Sequence, residues 1–218
     1  MHPYQLNLQG KTALVTGGSR GLGLAMTKGL LAVGARVVVA ARSPTPSEAL
    51  LGLPAEGSQW RYQTVDLAQD YSRSGLIERA SSHFGPIDIL VNNAGVQHRA
   101  AAAEYPLETW RNDFELLLTA VFDLSQQAAR SMLARGSAGK IVQIASISSF
   151  QGARGITGYA TMKHGLVGLT KCLANEWAGH GINVNAIFLS TFAFGSGLAG
   201  LGGALAGEVT GLDPTFPL

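Results

Sequence analysis

The chain has 218 residues, of which 46% are hydrophobic and 14% are charged, and its formal net charge is +2 at pH 7. This length and hydrophobic content are enough for the buried core of one ordinary domain, which excludes a protein that is disordered throughout. The small net charge, without a run of basic residues, argues against a nucleic-acid-binding surface.

Three further features limit the class of protein: its cysteine content, its histidines and its first residues. The single cysteine, Cys172, cannot form an internal disulfide. The five histidines are scattered without the paired spacing of metal ligands, which favours surface or loop positions for them. The first ten residues lack the basic and apolar regions of a signal peptide. We therefore expect a reduced, soluble cytoplasmic protein without a bound metal.

The first predicted elements are a strand and a helix joined by a glycine-rich turn. Residues 12–16 form a short apolar run, and apolar residues then recur at helical spacing as far as Val33. Glycines let the backbone turn and approach a ligand, and the start of a helix presents free N–H groups to an anion. The pattern predicts a site for a dinucleotide pyrophosphate, against the alternative of an ordinary glycine-rich turn. The residues predicted to form it are Gly17, Ser19, Arg20, Gly21, Leu22 and Gly23.

The second predicted strand, Arg36 to Ala41, bears on the choice of cofactor. Its β-branched residues do not alternate with polar ones, which is typical of a parallel strand buried on both faces. An acidic residue at its end would accept the ribose hydroxyls of NAD, but Ala41 and Arg42 stand there. Arg42 and Arg20 suit the 2′-phosphate of NADP instead, with NAD as the alternative cofactor. Both arginines could also be merely solvated.

The next segment leads to a predicted adenine site. Residues 43–58 contain three prolines and predict a surface connection with at most a short helix. A strand follows from Trp60 to Asp66, where the Asp66-Leu67 pair could hold the adenine. Capping of a helix by Asp66 is the competing interpretation. An amphipathic helix is predicted from Tyr71 to Phe84.

Small and amide residues follow the next buried strand, Ile87 to Val91. At the carboxyl end of a strand they let a flat ligand lie against the sheet edge, where open α/β sheets bind ligands. These predicted cofactor-binding residues are Asn92, Asn93, Ala94 and Gly95.

The remaining predicted elements carry three polar residues that are candidates for a functional site. A long helix is predicted from Leu107 to Ala134, and a strand from Lys140 to Ser146. The following helix carries Tyr159 and Lys163, which are four residues apart and therefore share one face. A solvated surface pair is the alternative interpretation of this tyrosine and lysine.

Four motifs together resemble the short-chain dehydrogenase/reductase family, classical type, from about Gly10 to Ile187. They are TGGSRGLG, NNAG, the serine at 146 and the Y-x-x-x-K pair. Within the family, IASISSFQG and ANEWAGHGINVNAI look most like the 2-deoxy-D-gluconate and 2-keto-3-deoxygluconate dehydrogenases. The resemblance implies an α/β fold with three layers, a doubly wound parallel sheet of the Rossmann type, and a homo-oligomer.

The resemblance also implies an NADP(H)-dependent oxidoreductase that transfers a hydride between the nicotinamide and a carbonyl or secondary alcohol. The small-molecule substrate would be a polyol, sugar acid or ketone. Tyr159 would donate the proton to the carbonyl oxygen, Ser146 would hydrogen-bond that oxygen, and Lys163 would favour the ionised phenol and hold the nicotinamide ribose. Arg99 and Arg154, in loops near this site, could reach a substrate carboxylate.

Two departures from the family pattern lead to an alternative. Leu117 stands where the family often has an asparagine that binds a proton-relay water, and we expect Leu117 to pack in the core. After Ile187 the chain does not continue with the usual Pro-Gly segment, so we expect two units, residues 1–187 and an atypical glycine-rich tail, 188–218. The last strand and the substrate-covering segment are then expected to be missing. The alternative function is a truncated, weak or inactive nucleotide-binding homologue; a membrane span in the tail is not favoured.

Overall fold

The computed structural model describes residues 6–53 and 57–188. The strands are β1 (Thr12–Thr16), β2 (Arg36–Ala41), β3 (Trp60–Thr64), β4 (Ile89–Asn92), β5 (Gly139–Ile144) and β6 (Ile182–Ile187). The α-helices are α1 (Gly21–Ala32), α2 (Glu48–Leu51), α3 (Asp70–Arg73), α4 (Leu76–Phe84), α5 (Leu107–Phe114), α6 (Ala120–Ala134) and α7 (Thr157–Trp177). A π-helical turn, Glu115–Thr119, joins α5 to α6, and 3₁₀ helices lie at Ala102–Glu104, Ile147–Ser149 and Ala178–His180.

All six strands form one parallel sheet in the order β3-β2-β1-β4-β5-β6. Side chains alternate along each strand, so neighbouring residues such as Leu14 and Val15 enter the cores on opposite faces. One core packs against α4, α6 and α7, and the other packs against α1 and α2. The predicted three-layer, doubly wound α/β fold is confirmed.

The strand order reverses at β1, which pairs with β2 on one side and with β4 on the other. In open parallel sheets the crevice outside the carboxyl ends of the strands at such a point is where ligands bind. The glycine-rich turn follows β1, and the Asn93-Ala94-Gly95 segment follows β4. The topology therefore brings two of the four motifs to one edge of the sheet.

Several predicted elements differ from the structure: the third strand ends at Thr64 and not at Asp66, and the fourth is Ile89–Asn92 and not Ile87 to Val91. The helix predicted from Tyr71 to Phe84 is two helices, α3 and α4, because Gly75 between them has the left-handed backbone angle φ +65°. The strand predicted to end at Ser146 ends at Ile144, and Ser146 instead caps the 3₁₀ helix that follows. The predicted long helix spans α5, the π-helical turn and α6. Leu117 lies in that turn with 1% of its surface exposed, so its predicted core packing is confirmed.

The described part of the chain ends at Phe188, one residue after β6. Strand β6 pairs with β5 at the edge of the sheet that the described residues form. Residues 189–218, which include nearly all of the predicted tail and of the weighed membrane span, lie outside the described residues. Among the helices that are described, none combines the length and the hydropathy that a bilayer crossing requires.

Candidate functional site

Thr16, the last residue of β1, joins the glycine-rich turn to the loop that follows β4. Its buried hydroxyl oxygen accepts hydrogen bonds from the N–H groups of Asn93 and Ala94, each at 3.0 Å. The Asn93 side-chain amide donates to the Thr16 carbonyl at 2.9 Å and to the Gly17 carbonyl at 3.3 Å. The two predicted cofactor-binding loops are therefore one hydrogen-bonded unit. Thr16 was not identified from the sequence; its position at the end of a buried strand was the available signal.

Two glycines are required by the close approach of these loops. A Cβ atom on Gly23 would lie 2.1 Å from the Gly17 carbonyl oxygen and 2.6 Å from the Asn93 amide nitrogen. Gly17 has φ +63°, and a Cβ there would lie 3.0 Å from the Ala94 Cα. A side chain at either position would push the two loops apart.

The start of α1 fits an anion. Its first turn contains no acidic residue, and the Arg20 side chain, at the N-cap, makes no capping hydrogen bond. The free N–H groups of this turn and the positive end of the helix dipole therefore remain for a phosphate. The rest of the predicted set surrounds this start: Ser19 is buried, whereas Gly21 and Leu22 are exposed.

Arg20 and Arg42 lie at the ends of elements that reach the same edge of the sheet. Both side chains are exposed, and neither forms an ion pair with a residue that the structure describes. Both guanidinium groups are thus available to a 2′-phosphate, a role that stays a prediction.

The predicted adenine pair, Asp66 and Leu67, lies in the loop between β3 and α3. The Asp66 carboxylate accepts the Ala68 N–H at 3.1 Å, and the N-cap of α3 is Gln69, so Asp66 does not cap that helix. Leu67 is buried, and its carbonyl accepts a hydrogen bond from Arg73 Nη1 at 3.0 Å. Local hydrogen bonds therefore fix this loop.

The last residue of β4 and the residues after it differ in what they present to a ligand. Asn92 is buried, and its amide donates to Ser125 Oγ at 3.2 Å, so its side chain points into the core. Gly95 is exposed, and a Cβ on it would lie 3.1 Å from Leu117 Cδ2. Ala94, between them, is partly buried. For Asn92 and Gly95, a ligand at this edge would therefore meet backbone and not side chain.

The structure places Tyr159 and Lys163 together on α7. The Lys163 ammonium lies 5.7 Å from the centroid of the Tyr159 ring and donates a hydrogen bond to the Ile144 carbonyl at 2.5 Å. Lys163 is buried, whereas Tyr159 is partly buried. Burial lowers the pKa of Lys163 to about 8, because a charged ammonium loses hydration there.

Ser146 lies close to the same helix. It is buried, its Oγ accepts the Ser148 N–H at 3.1 Å, and its own N–H donates to Ser149 Oγ at 3.2 Å. Helix α7 packs against the 3₁₀ helix that Ser146 caps. The three predicted catalytic residues thus come from two packed elements that follow β5, and Lys163 reaches the carboxyl end of that strand.

A buried carboxylate near α7 was not identified from the sequence. Asp113 is fully buried; one of its oxygens lies 2.7 Å from His98 Nδ1, and the other accepts the Tyr105 hydroxyl. Burial, together with the hydrogen bond to Asp113, raises the pKa of Tyr105 to about 12. The available signal was spacing, since residues 110, 113 and 117 lie on one face of a helix.

The sequence matches the model of a known protein family over most of its length. The model described as short chain dehydrogenase matches residues 11–194. The chain belongs to the short-chain dehydrogenase family. The match extends past Ile187, where the resemblance was expected to end, and covers every motif that carries the site.

Two characterised relatives are sugar-acid dehydrogenases by name. The chain is 41% identical over 181 residues to the 2-dehydro-3-deoxy-D-gluconate 5-dehydrogenase of Dickeya dadantii, covering 83% of this chain and 71% of the relative. It is 38% identical over 193 residues to the gluconate 5-dehydrogenase of Gluconobacter oxydans, covering 88% of this chain and 75% of the relative. The expected resemblance to gluconate-type dehydrogenases is confirmed.

Two crystal structures are similar to this member of the short-chain dehydrogenase family. A protein of Beutenbergia cavernae, described as a gluconate 5-dehydrogenase with NADP bound at low occupancy, has a TM-score of 0.78 and 36% identity, covering 92% of this chain and 83% of that one. A protein of Agrobacterium tumefaciens, described as a 2-deoxy-D-gluconate 3-dehydrogenase with bound NADP, has a TM-score of 0.77 and 38% identity, covering 93% and 82%.

Proposed function

We propose that this chain is an NADP(H)-dependent oxidoreductase that acts on a carbonyl or secondary alcohol of a small sugar acid, with polyols and simple ketones as further candidate substrates. The observation that carries the proposal is the buried Lys163 beside the Tyr159 ring, on a helix that packs against the Ser146 turn. The names of the relatives support the choice of sugar acids.

The glycine-rich turn and its neighbours would hold NADP(H). The turn between β1 and α1 would bind the pyrophosphate through backbone N–H groups. Arg20 and Arg42 would pair with the 2′-phosphate, since no carboxylate follows β2 to accept ribose hydroxyls. Asp66 and Leu67 would hold the adenine. The bound NADP in two similar structures supports this cofactor over NAD, which remains the alternative.

The chain's own groups would handle the proton. The nicotinamide supplies or accepts the hydride when it is bound. Tyr159 Oη would hold the proton for the substrate oxygen. An ammonium has three donors, so Lys163 has two left after its bond to the Ile144 carbonyl, enough for the ribose and for the ionised phenol. Ser146 Oγ already accepts the Ser148 N–H, which leaves its own O–H to donate to the substrate oxygen.

The alternative function, a nucleotide-binding chain with little or no turnover, has one observation in its favour. Leu117 is buried in the π-helical turn, where the family often has an asparagine, and a leucine side chain cannot hydrogen-bond a relay water. Both functions predict NADPH binding, and only the first predicts turnover.

Location, assembly and domain organisation are further parts of the proposal. A cytoplasmic location agrees with the free, exposed thiol of Cys172. A homo-oligomer is proposed from family membership, and light scattering of the purified chain tests it. Residues 1–187 would form the catalytic unit, and removal of residues 188–218 would test whether it folds without them.

The test of function is a paired binding and activity experiment. Calorimetry with NADPH and NADH measures cofactor preference, and absorbance at the nicotinamide band measures turnover with a panel of aldonic acids, keto acids, polyols and ketones. We expect tighter binding of NADPH and turnover of at least one sugar acid. NADPH binding without any turnover would favour the alternative function, and no binding of either cofactor would contradict both.

A further inference from the structure

The inference starts from the buried carboxylate of Asp113 on α5. A charged carboxylate in the core is costly unless it is hydrogen-bonded and paired. Asp113 has two such partners, the Tyr105 hydroxyl and His98 Nδ1 at 2.7 Å. Tyr105 is a donor at neutral pH, as a phenol ordinarily is, and burial with the bond to Asp113 raises its pKa further, to about 12. The carboxylate therefore fixes two side chains that come from a different segment of the chain.

This cluster contacts the start of the helix that carries Tyr159. A Cβ atom on Gly158 would lie 2.6 Å from the Tyr105 hydroxyl oxygen and 3.0 Å from Asp113 Oδ2. Gly158 immediately precedes Tyr159, so the cluster and the proposed proton donor are neighbours. Only a residue without a side chain fits at position 158 beside this cluster.

His98 belongs to the loop that leads from Gly95 towards the same helix. The Ala100 N–H donates to the Gly155 carbonyl at 3.1 Å, which joins this loop to the one that precedes α7. The His98 side chain is 52% exposed, although its Nδ1 is bound to a fully buried carboxylate. Because Nδ1 is occupied, Nε2 is the ring nitrogen that remains for a ligand.

The charges of the two joined loops favour an anionic ligand. Residues 96–101 and 147–156 contain Arg99 and Arg154, both exposed, and no acidic residue; the next acidic side chain is Glu104, at the end of the 3₁₀ helix Ala102–Glu104. The charge of Asp113 is compensated locally by its own hydrogen bonds. A ligand that approaches over these loops therefore meets two cations and an oriented imidazole.

We propose that His98 is a substrate-binding residue that, as the imidazolium, donates Nε2–H to the carboxylate of a sugar acid while its Nδ1–H donates to Asp113, and that Asp113 and Tyr105 position it. The inference rests on the proposed function, because it assigns a residue to the substrate of that same site. Asp113 has the role of a positioning residue: it fixes the ring orientation and keeps the Nδ1 proton, as carboxylates do for other functional histidines.

The test compares gluconate with gluconamide, a neutral analogue of nearly the same shape. Gluconate affinity is measured as KM, and gluconamide affinity as KM or as an inhibition constant, for the wild type and for His98→Gln. The wild type should prefer the acid, and His98→Gln should reduce that preference about tenfold, the usual scale for one charge-assisted hydrogen bond. The kcat for the acid and the Kd for NADPH should change little. His180→Gln, at an exposed histidine after α7, is the matched control and should change nothing.

Asp113→Asn tests whether Asp113 positions His98 or only stabilises the fold. It should reduce the same preference, and the double variant should be no worse than His98→Gln alone, because the two residues act through one contact. If Asp113→Asn does not fold, His98→Gln still decides the matter. An equal loss for gluconate and gluconamide, an equal loss of kcat for both, or no loss would overturn the inference while the oxidoreductase function stands. A wild type that turns over no sugar acid would overturn the proposed function and the inference together.

Discussion

The proposed sites in the two halves of the sheet consist of different kinds of chemical group. On the side of β1, β2 and α1, the candidate ligand groups are free backbone N–H groups and two exposed arginines, Arg20 and Arg42. On the side of β4, β5 and α7, they are buried side chains that already have hydrogen-bond partners, such as Ser146 and Lys163. The first half presents its ligand groups to solvent, whereas the second buries Ser146 and Lys163.

This difference separates stability from function in the two halves. A site made of backbone N–H groups requires no buried charge, so the exposed side chains around it can be substituted without unfolding the chain. A buried ammonium is destabilising in itself, and its removal affects both folding and chemistry. Mutations should therefore act selectively on binding in the first half, and jointly on stability and catalysis in the second.

The largest expected effect is on catalysis in the second half. Tyr159→Phe should lower kcat by about 1,000-fold or more, since general acid–base groups contribute roughly 10²–10⁴-fold. NADPH affinity should remain within about twofold, because only the hydroxyl is lost. Steady-state kinetics and fluorescence titration measure the two effects. Tyr71→Phe, at a tyrosine that is 81% exposed, is the control. Substantial activity in Tyr159→Phe would remove the catalytic assignment.

The glycine-rich turn should be the exception in the first half, because a substitution at Gly23 should destabilise the fold. Gly23→Ala would place a methyl group 2.1 Å from the Gly17 carbonyl oxygen. The required backbone shift should cost about 2–3 kcal/mol of unfolding free energy, the upper range for overpacking. Chemical denaturation measures it. Gly168→Ala is the matched control, because a Cβ there meets no atom within 4 Å. Placed within α7, Gly168→Ala should stabilise by about 0.5–1 kcal/mol. Equal effects of the two variants would contradict the close approach.

Lys163 should make the stability of the cofactor-free chain depend on pH. Burial lowers its pKa from 10.5 to about 8, so between these values the unfolded chain binds more protons than the folded chain. The free energy of unfolding contributed by Lys163 should therefore rise with pH across this window, by about 3 kcal/mol in total. Relative to Lys163→Met, the wild type should gain stability from pH 8 to 10.5 and show a constant difference below pH 8. Lys171→Met, at an exposed lysine of α7, should show no such gain.

The smallest expected effect tests selectivity in the first half. Arg42→Ala should weaken NADPH binding about tenfold, the scale of one charge-assisted contact, and leave NADH binding unchanged. The melting temperature should not change, because the Arg42 side chain is exposed. Calorimetry with both cofactors provides the measurement, and Arg61→Ala, at an exposed arginine in β3, is the control. A parallel loss for NADH would show that Arg42 does not recognise the 2′-phosphate.

The parts of the fold that sequence could predict are those that depend on local pattern. The bounds of β1 and β2 agree with the prediction because apolar or β-branched runs end at turn residues. Tyr159 and Lys163 were predictable as neighbours because a spacing of four places two residues on one helical face.

The parts that could not be predicted depend on contacts between distant segments. The Asp113 cluster needs residues 98, 105, 113 and 158 to meet, and no local pattern specifies that meeting. Ser146 leaves β5 because its hydroxyl caps a 3₁₀ helix, a choice that apolar periodicity does not reveal. Thr16 joins two loops that are separated by more than 70 residues.

Transfer of deuterium from labelled NADPH to a sugar acid is the most direct test of the central claim. The wild-type chain is incubated with NADPH that carries deuterium at the reactive C4 position and with a keto sugar acid, and the alcohol product is analysed by mass spectrometry. We expect one deuterium on the former carbonyl carbon in the wild type, and no labelled product above background in Tyr159→Phe. Tight NADPH binding with no labelled alcohol in the wild type would contradict the claim that this chain is an oxidoreductase.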